Sequence, residues 1–283
     1  QFMFDRLSIN PGYAGIKNEL CFTGFYRQQW TGFDGAPVTT MINGHMPIGK
    51  INSGVGLTFY SDELGQQQNT LFRGHYSYHF KNVGTGKLGL GASIGYLSSS
   101  LGNEWIALDD IANDATISAE TTNAGTVDFS LGAYYHADKF YIGLSSTHLS
   151  EGDLKDMGIS TSRHYYVMAG YTYALSNSVD LIPNVLVKSD AASTQFDVNV
   201  LGMYKNMLWA GVSYRAEDAI APMLGYRHQL PDGRSAIRIG YSYDVTTSSL
   251  NNYSTGSHEV MLNYCMKLRK PLSPQIYKNV RFL

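Results

Sequence analysis

The chain has 283 residues and a formal net charge of −2, so it offers no basic field of the kind that recruits nucleic acid. Charged residues make up only 16% of it, while glycine (29) and tyrosine (21) are abundant. No run approaches the roughly 18 consecutive apolar residues of a membrane helix. A mean hydropathy of −0.18 still fits a membrane protein that crosses with strands, because alternating residues average to neutral hydropathy.

Large apolar residues recur at every second position in a series of short segments. In the segment 235–245, for example, Ile237 and Ile239 alternate with Arg238 and Gly240. Successive side chains of a strand point to opposite faces, so the segment has one apolar and one polar wall. The pattern predicts about fourteen strands, in chain order at 20–26, about 38–48, 55–59, 72–80, 88–96, 127–135, 140–144, 165–173, 179–187, 196–200, 208–214, 220–226, 237–245 and 260–268. In the thirteenth, we expect Ile237, Ile239, Tyr241, Tyr243 and Val245 to face lipid.

The links between these segments alternate between short and long. The short turns are predicted at 136–139, 176–178, 205–207 and 231–234, and the long links at 100–124, 149–162 and 247–257. Bacterial outer-membrane barrels have an even number of strands, short periplasmic turns and longer outer loops. We therefore predict an all-β fold: a transmembrane antiparallel β-barrel of about 14 strands with both termini in the periplasm.

A soluble β-sandwich or propeller is the alternative fold, since it also alternates strands with turns. The membrane barrel is favoured because one face carries many large apolar residues, while the other is rich in Gly, Ser, Asp, Asn and Arg. Pro183 and Pro222 count against it, because proline cannot donate to a ladder and a closed barrel has no edge. Bulges could accommodate both prolines.

The two ends of the chain lack the strand pattern. Residue 1 is Gln, and no initiator Met or basic-apolar leader precedes the first strand, which suggests a mature chain whose signal peptide has been removed. We predict an N-terminal periplasmic or plug segment at 1–18, a transmembrane barrel at 19–268 and a periplasmic tail at 269–283. The tail is too polar to span a bilayer, so we expect it to bind a partner.

Cys21 and Cys265 are the only two cysteines, which is too few for a disulfide scaffold. They fall near the start of the first predicted strand and the end of the last, which are neighbours in a closed barrel. Both share the inward phase near the periplasmic rim. A disulfide between adjacent strands is geometrically awkward, so two free buried thiols are the favoured interpretation and a bond is the alternative.

The sequence contains none of the motifs that we searched for as signs of catalysis. It has no phosphate-binding Walker loop, no paired-cysteine zinc set and no GxSxG nucleophile elbow. Asp109 and Asp110 form a carboxylate pair in a long link, but no positioned histidine accompanies them, so we interpret them as part of a solvated loop. We expect no enzyme activity and no cofactor. We also expect no metal site, although four histidines fall on the predicted inner face: His75, His79, His136 and His164.

Two segments are more specific than the alternation. Residues 7–15 read LSINPGYAG, and residues 26–39 read YRQQWTGFDGAPVT. Together they closely resemble the start of the PorP/SprF family of outer-membrane proteins of Bacteroidota, which is associated with type IX secretion and gliding motility. The resemblance extends over the whole chain at lower specificity.

The resemblance implies a barrel without enzyme activity that works with secreted cell-surface proteins. Family members are linked to large adhesins carrying a type B C-terminal secretion domain, and to periplasmic machinery attached to peptidoglycan. The implied partners are therefore a surface adhesin, periplasmic type IX components and outer-membrane lipid, with no nucleic acid. The implied location is the outer membrane.

The family provides no residue-level binding site, so the candidate contacts come from the motifs and the tail. A structural role competes with partner binding for each motif: the residues around Pro11 could form a turn that holds the N-terminal segment in the barrel, and those around Trp30 could cap the first hairpin. The candidates for partner binding are Asn10, Pro11, Tyr13, Arg27, Gln28, Gln29, Trp30, Phe33, Asp34, Pro37 and Trp105, and those for periplasmic contact are Tyr277, Arg281 and Phe282.

A channel or transporter for small solutes is the alternative function. A barrel of about 14 strands is wide enough for a pore or a plug. Its predicted inner face carries both signs of charge, which argues against simple ion selectivity. These residues are Arg73, Arg215, Arg227, Arg238, Asp128, Asp197 and Glu259. A lumen filled by residues 1–18 would count against a channel.

Overall fold

A computed structural model describes residues 1–32, 34–103, 121–154, 157–252 and 254–268, and nearly all of its regular structure is β. The strands are β1 (Glu19–Gln28), β2 (Val38–Ile48), β3 (Ser53–Leu64), β4 (Gln67–Val83), β5 (Gly86–Leu101), β6 (Thr122–His136), β7 (Phe140–Thr147), β8 (Asp153–Leu154), β9 (Ile159–Ser160), β10 (His164–Tyr171), β11 (Tyr173–Ser176), β12 (Val179–Ser189), β13 (Thr194–Tyr204), β14 (Leu208–Arg215), β15 (Ala219–Gln229), β16 (Ser235–Thr246) and β17 (Ser257–Lys267).

The sheet closes into a barrel through an antiparallel ladder between its first and last strands, β1 and β17. Strands β10 and β11 both pair with β12 and together form one strand of the wall, while β8 and β9 form a separate two-stranded ribbon. Over the described residues the wall therefore has 14 strands, which confirms the prediction of an all-β antiparallel barrel of about 14 strands. In the described part of the chain, no helix is long and apolar enough to cross a membrane.

One of the two ladders beside each strand proline is interrupted, at the positions where we had considered bulges, while the other ladder runs through the proline. The β10–β12 ladder ends at Gly170 and Asn184, next to Pro183, and resumes in β11 without a register shift at that point. The β15–β16 ladder is likewise interrupted at Pro222 with the same register on both sides. The register is unchanged across both prolines, so the bulges that could have accommodated them are not formed there. Proline lacks only one N–H, so leaving out the local hydrogen bonds accommodates it without an added residue.

The alternation in sequence corresponds to two different faces of the barrel wall, an apolar outer face and a polar inner face. On β16, Ile239, Tyr241 and Val245 lie exposed on the outside of the barrel, while Ser242 and Asp244 are buried inside. Burial alternates in this way along most of the other barrel strands, and the exposed large residues on them are Phe, Tyr, Leu, Ile, Val and Met. An apolar belt around a polar interior is the arrangement that a bilayer requires of a strand-built protein.

The two ends of the barrel differ. We call the end where β1 begins and β17 finishes the terminal rim; its turns are short, at 49–52, 84–85, 137–139, 177–178, 205–207 and 230–234. The opposite end, the loop rim, has the longer links 29–37, 148–163 and 247–256 in addition to the short turns 65–66, 190–193 and 216–218. In the 230–234 turn, Asp232 accepts hydrogen bonds from the Ser235 hydroxyl (2.5 Å) and two backbone N–H groups, which lower the pKa of its carboxyl to about 2.

Cys21 and Cys265 form a disulfide, so the expectation of two free thiols is wrong. The two residues are direct partners in the β1–β17 ladder, with a Cα–Cα distance of 4.1 Å. Directly opposed residues on antiparallel strands come within about 4.5–5.5 Å, so the register itself brings the sulfurs together. The bond joins positions 244 residues apart, at the seam where the barrel closes.

Candidate functional site

Residues 1–18, which we call the lumen segment, lie inside the barrel. Met3, Leu7, Ala14 and Ile16 are all at most 4% exposed, although no strand includes them. Met3 packs in one apolar cluster with Trp209 of the wall, and Ile16 packs in a second cluster with Tyr134. The segment therefore provides much of the apolar interior that a barrel with polar inner walls would otherwise lack.

Asn10 fixes the middle of the lumen segment to the wall. Its side-chain Nδ2 donates to the carbonyl oxygens of Ala133 and Leu144, both at 3.0 Å. Its Oδ1 accepts from the N–H of Gly12 at 2.9 Å and so caps a short 3-10 turn at Pro11–Tyr13. Asn10 is fully buried, so all three bonds are shielded from water.

Tyr13 extends this attachment with its ring. The ring contacts those of His45 and Tyr134 edge-on, each with 5.1 Å between centroids. The 7–15 motif thus has the structural role that competed with partner binding in the sequence: it attaches the segment to the inside of the barrel.

Wall glycines make room for the turn. A Cβ on Gly89 would lie 2.2 Å from the carbonyl oxygen of Gly12, and one on Gly91 would lie 2.4 Å from its nitrogen. A Cβ on Gly54 would lie 2.0 Å from the carbonyl oxygen of Ala14. Backbone thus touches backbone at these points, and only glycine allows such an approach.

Wall side chains bind the backbone of the same segment. Ser77 donates to the Gly12 carbonyl at 3.0 Å, and His79 Nε2 lies 2.8 Å from the Ala14 carbonyl oxygen. The Gly15 N–H donates to His45 Nδ1 at 3.3 Å. His79, one of the four histidines predicted on the inner face, therefore has a hydrogen-bonding role toward the lumen segment.

Charged side chains continue the attachment toward the loop rim. Arg73 and Asp128 form a buried ion pair at 2.5 Å, and His148 Nδ1 lies 2.9 Å from the second oxygen of Asp128. Arg73 also donates to the Ser8 carbonyl at 3.3 Å. Asn43 donates to Asp5 at 2.8 Å. The inner-face charges that the sequence suggested for a pore are therefore partly engaged in holding residues 1–18.

Replacing Asn10 with Ala should loosen the lumen segment. Two carbonyls and one N–H lose buried partners, and each such loss costs about 1–3 kcal/mol. We expect amides near Gly12 to exchange with deuterium at least about tenfold faster, as measured by mass spectrometry on the protein in detergent micelles. Asn123→Ala, at an exposed position, is the matched control. Unchanged exchange in Asn10→Ala would contradict the assigned role.

The second motif builds part of the loop rim. The Gln29 N–H donates to the Pro37 carbonyl at 2.8 Å and closes the link between β1 and β2. The Trp30 N–H donates to the Ser257 hydroxyl at 3.0 Å, and Thr31 exchanges two backbone hydrogen bonds with the 255–256 stretch. The first hairpin is thus joined to the last link of the chain across the seam.

The motif side chains divide between the lumen and the exterior. Arg27 is partly buried in the lumen, with ion pairs to Asp244 (2.7 Å) and Glu259 (3.3 Å). Gln28 and Asp34 are exposed, Trp30 is partly exposed and Pro37 is buried. The remaining candidates lie outside the described residues: Phe33, Trp105, Tyr277, Arg281 and Phe282.

Sequence reasoning missed most of the partners of the lumen segment. Ser77, Ala133 and Leu144 are distant in sequence and carry no motif. The alternation in sequence placed Arg73 and Asp128 on the inner face, but it did not indicate that they form an ion pair. The glycines on β5 were a usable signal, since Gly89 and Gly91 follow the inward phase, where small residues mark a close backbone approach.

Several solved outer-membrane structures share this fold. They include the CymD monoaromatic hydrocarbon channel (TM-score 0.57, 12% identity, 93% of this chain and 92% of that one). The match to the Ralstonia pickettii toluene transporter TbuX (TM-score 0.56, 10% identity) covers 93% of each chain. The match to a Pseudomonas aeruginosa FadL homologue (TM-score 0.51, 12% identity) covers 89% of each chain. At these identities the likeness shows the fold alone. A comparison with curated proteins gave no match.

The family assignment comes from the sequence match. The family model described as type IX secretion system membrane protein PorP/SprF matches residues 1–264, which include the lumen segment and both motifs. Together with the membrane-barrel fold, this match indicates an outer-membrane location. The chain belongs to the PorP/SprF family of type IX secretion system membrane proteins.

Proposed function

We propose that this barrel anchors a secreted surface adhesin. The loop rim faces the exterior and binds the type B C-terminal domain of the adhesin, while the terminal rim and the tail 269–283 face the periplasm and bind peptidoglycan-linked type IX components. Outer-membrane lipid surrounds the apolar belt. Family membership supports the link to type IX secretion.

The observation that carries the proposal is the filled lumen. Residues 1–18 contact the wall from near the terminal rim, where Gly15 contacts His45, to the loop-rim half, where Ser8 contacts Arg73. A path for solutes would require these buried contacts to break. A barrel occupied in this way is suited to present its rims to partners.

The loop rim also has the construction of a binding surface. The main chain of Trp30 and Thr31 is hydrogen-bonded to residues 255–257, so Gln28 and Trp30 are presented from a fixed backbone. Ordered exposed groups lose little conformational freedom when a partner binds.

Direct binding of a purified type B domain tests the proposal. The domain should come from a surface protein of the same organism, and the barrel should be in mild detergent. We expect saturable binding that Trp30→Ala weakens about tenfold or more, because truncating a central aromatic contact commonly costs at least 2 kcal/mol. Lys50→Ala, at the terminal rim, should bind like the unmodified protein.

Removal of residues 269–283 tests the second half of the proposal. We expect this deletion to abolish co-purification of periplasmic components from native membranes while leaving adhesin recovery unchanged. Recovery of the intact barrel alone under gentle conditions, together with no binding of the purified domain, would contradict the anchoring function.

A small-solute channel is the second candidate function. It is favoured by the shared fold of CymD and TbuX, which are described as a monoaromatic hydrocarbon channel and a toluene transporter. The lumen segment argues against it. Conductance of the unmodified protein in a planar bilayer separates the two, because stable channel activity would favour transport.

A further inference from the structure

A cavity of about 230 Å³ lies between the lumen segment and the wall, and it reaches the terminal rim. One side is formed by the lumen segment, including Arg6 and Lys17, and another by inward-facing Arg238 on β16. The 137–139 turn, which lies on the terminal rim, also lines it. The cavity is therefore accessible from the end of the barrel opposite the loop rim.

The interior of this cavity has an excess of positive charge. Arg6, Lys17 and Arg238 line it together with a single inner carboxylate, Glu19, while the exposed pair Asp138 and Lys139 at its mouth cancel each other. Of the three formal positive charges inside the cavity, two therefore lack a matching carboxylate. Buried cations are costly unless they are paired, so such an arrangement favours a bound anion.

Two of these cations, Lys17 and Arg238, have unused hydrogen-bonding capacity. Within the described chain, Lys17 has no hydrogen bond or ion pair, and Arg238 has a buried Nε without a partner. Arg6 donates to the Met3 carbonyl and the Tyr134 hydroxyl and lies 3.8 Å from the Tyr141 ring centroid, but it meets no carboxylate. The Lys17 ammonium and the Arg238 guanidinium therefore offer free donors to the same cavity.

A histidine adds a neutral donor beside them. His45 lines the cavity and accepts the Gly15 N–H at Nδ1, so its neutral ring carries its proton on Nε2. Oxygen acceptors of a carboxylate or phosphate match such a donor set, since both accept charge-assisted hydrogen bonds from Lys and Arg.

We propose that this cavity is an oxyanion-binding site for a carboxylate or phosphate group, contacted by Lys17, Arg238 and Arg6. The chain's own tail does not provide the missing charge from its side chains, because residues 269–283 contain two arginines and two lysines and no Asp or Glu. The two sources that we test are a free oxyanion and a carboxylate carried by an acidic polypeptide. The site lies at the opposite end from the loop rim, so it does not depend on adhesin anchoring.

Calorimetric titration of the detergent-solubilised full chain tests this site. Sodium phosphate is the probe, with sodium chloride at matched ionic strength as the reference and a hexaglutamate peptide with blocked ends as the second probe. We expect saturable phosphate binding that Lys17→Gln and Arg238→Gln each weaken about tenfold or more, since each removes a charged hydrogen bond. Lys17→Arg should retain binding because it keeps the charge.

Lys205→Gln is the matched control, because it removes one positive charge from the same rim outside the cavity. Phosphate binding without peptide binding assigns a free oxyanion, and peptide binding that phosphate displaces assigns a presented carboxylate; both support the site. Phosphate heats no different from those of chloride would overturn the proposal. Undiminished phosphate affinity in both Lys17→Gln and Arg238→Gln would also overturn it.

Discussion

Replacing Gly91 with Leu should convert a closed barrel into a conducting one. Even the Cβ of this side chain would lie 2.4 Å from the Gly12 nitrogen and the Pro11 carbonyl carbon. Such contacts are far inside van der Waals distance and involve backbone on both sides, so the turn at 11–13 must leave the wall. We expect stable single-channel conductance in a planar bilayer for Gly91→Leu and none for the unmodified protein.

Gly74→Leu is the control for this experiment. Gly74 lies on β4, and a side chain added there would point to the outside of the barrel. The atom nearest to its Cβ would be 3.8 Å away. That variant should insert normally and remain closed. If Gly91→Leu folds and stays as closed as Gly74→Leu, the lumen segment is not what blocks the barrel.

Replacing both Cys21 and Cys265 with serine should destabilise the barrel by about 2–5 kcal/mol, because the disulfide restricts a very long stretch of the unfolded chain. The bonded residues are 244 positions apart, and the stabilisation expected from loop closure grows with loop length. Urea unfolding in detergent micelles, followed by tryptophan fluorescence, measures the change in unfolding free energy.

Reductant provides the internal control for the cysteine variant. Dithiothreitol should lower the stability of the unmodified protein toward that of the double serine variant and should leave the variant itself unchanged. Heat-denatured unmodified protein should migrate faster on a gel without reductant, because its chain is closed into a ring. Equal mobility with and without reductant would show that the cysteines are not joined.

The barrel could be predicted because the pattern that determines its strands lies in short stretches of sequence. Alternation such as that of Ile237 and Ile239 with Arg238 is visible in a window of a few residues, and a bilayer requires the apolar set to face outward. Strand number and turn length follow from counting such windows. The same alternation predicted that Cys21 and Cys265 both face inward.

What the sequence could not provide was the register across the seam and the path of the lumen segment. A disulfide depends on Cys21 standing opposite Cys265 rather than one pair away, and no local pattern fixes a pairing over such a separation. Two of the three hydrogen bonds of Asn10 go to carbonyls of β6 and β7, which come together only once the wall has formed. The exposed part of the loop-rim motif was identifiable, but its attachment to the 254–257 stretch was not.

The position of the disulfide has a consequence for biogenesis. The β1–β17 ladder brings together the most distant parts of the barrel, and such long-range pairings are slow to form. The lumen segment is continuous with β1 and contacts strands from both halves of the wall. Oxidation of Cys21 and Cys265 requires β1 and β17 to lie side by side, so the bond marks closure of the barrel, and trapping the thiols during insertion would time that event.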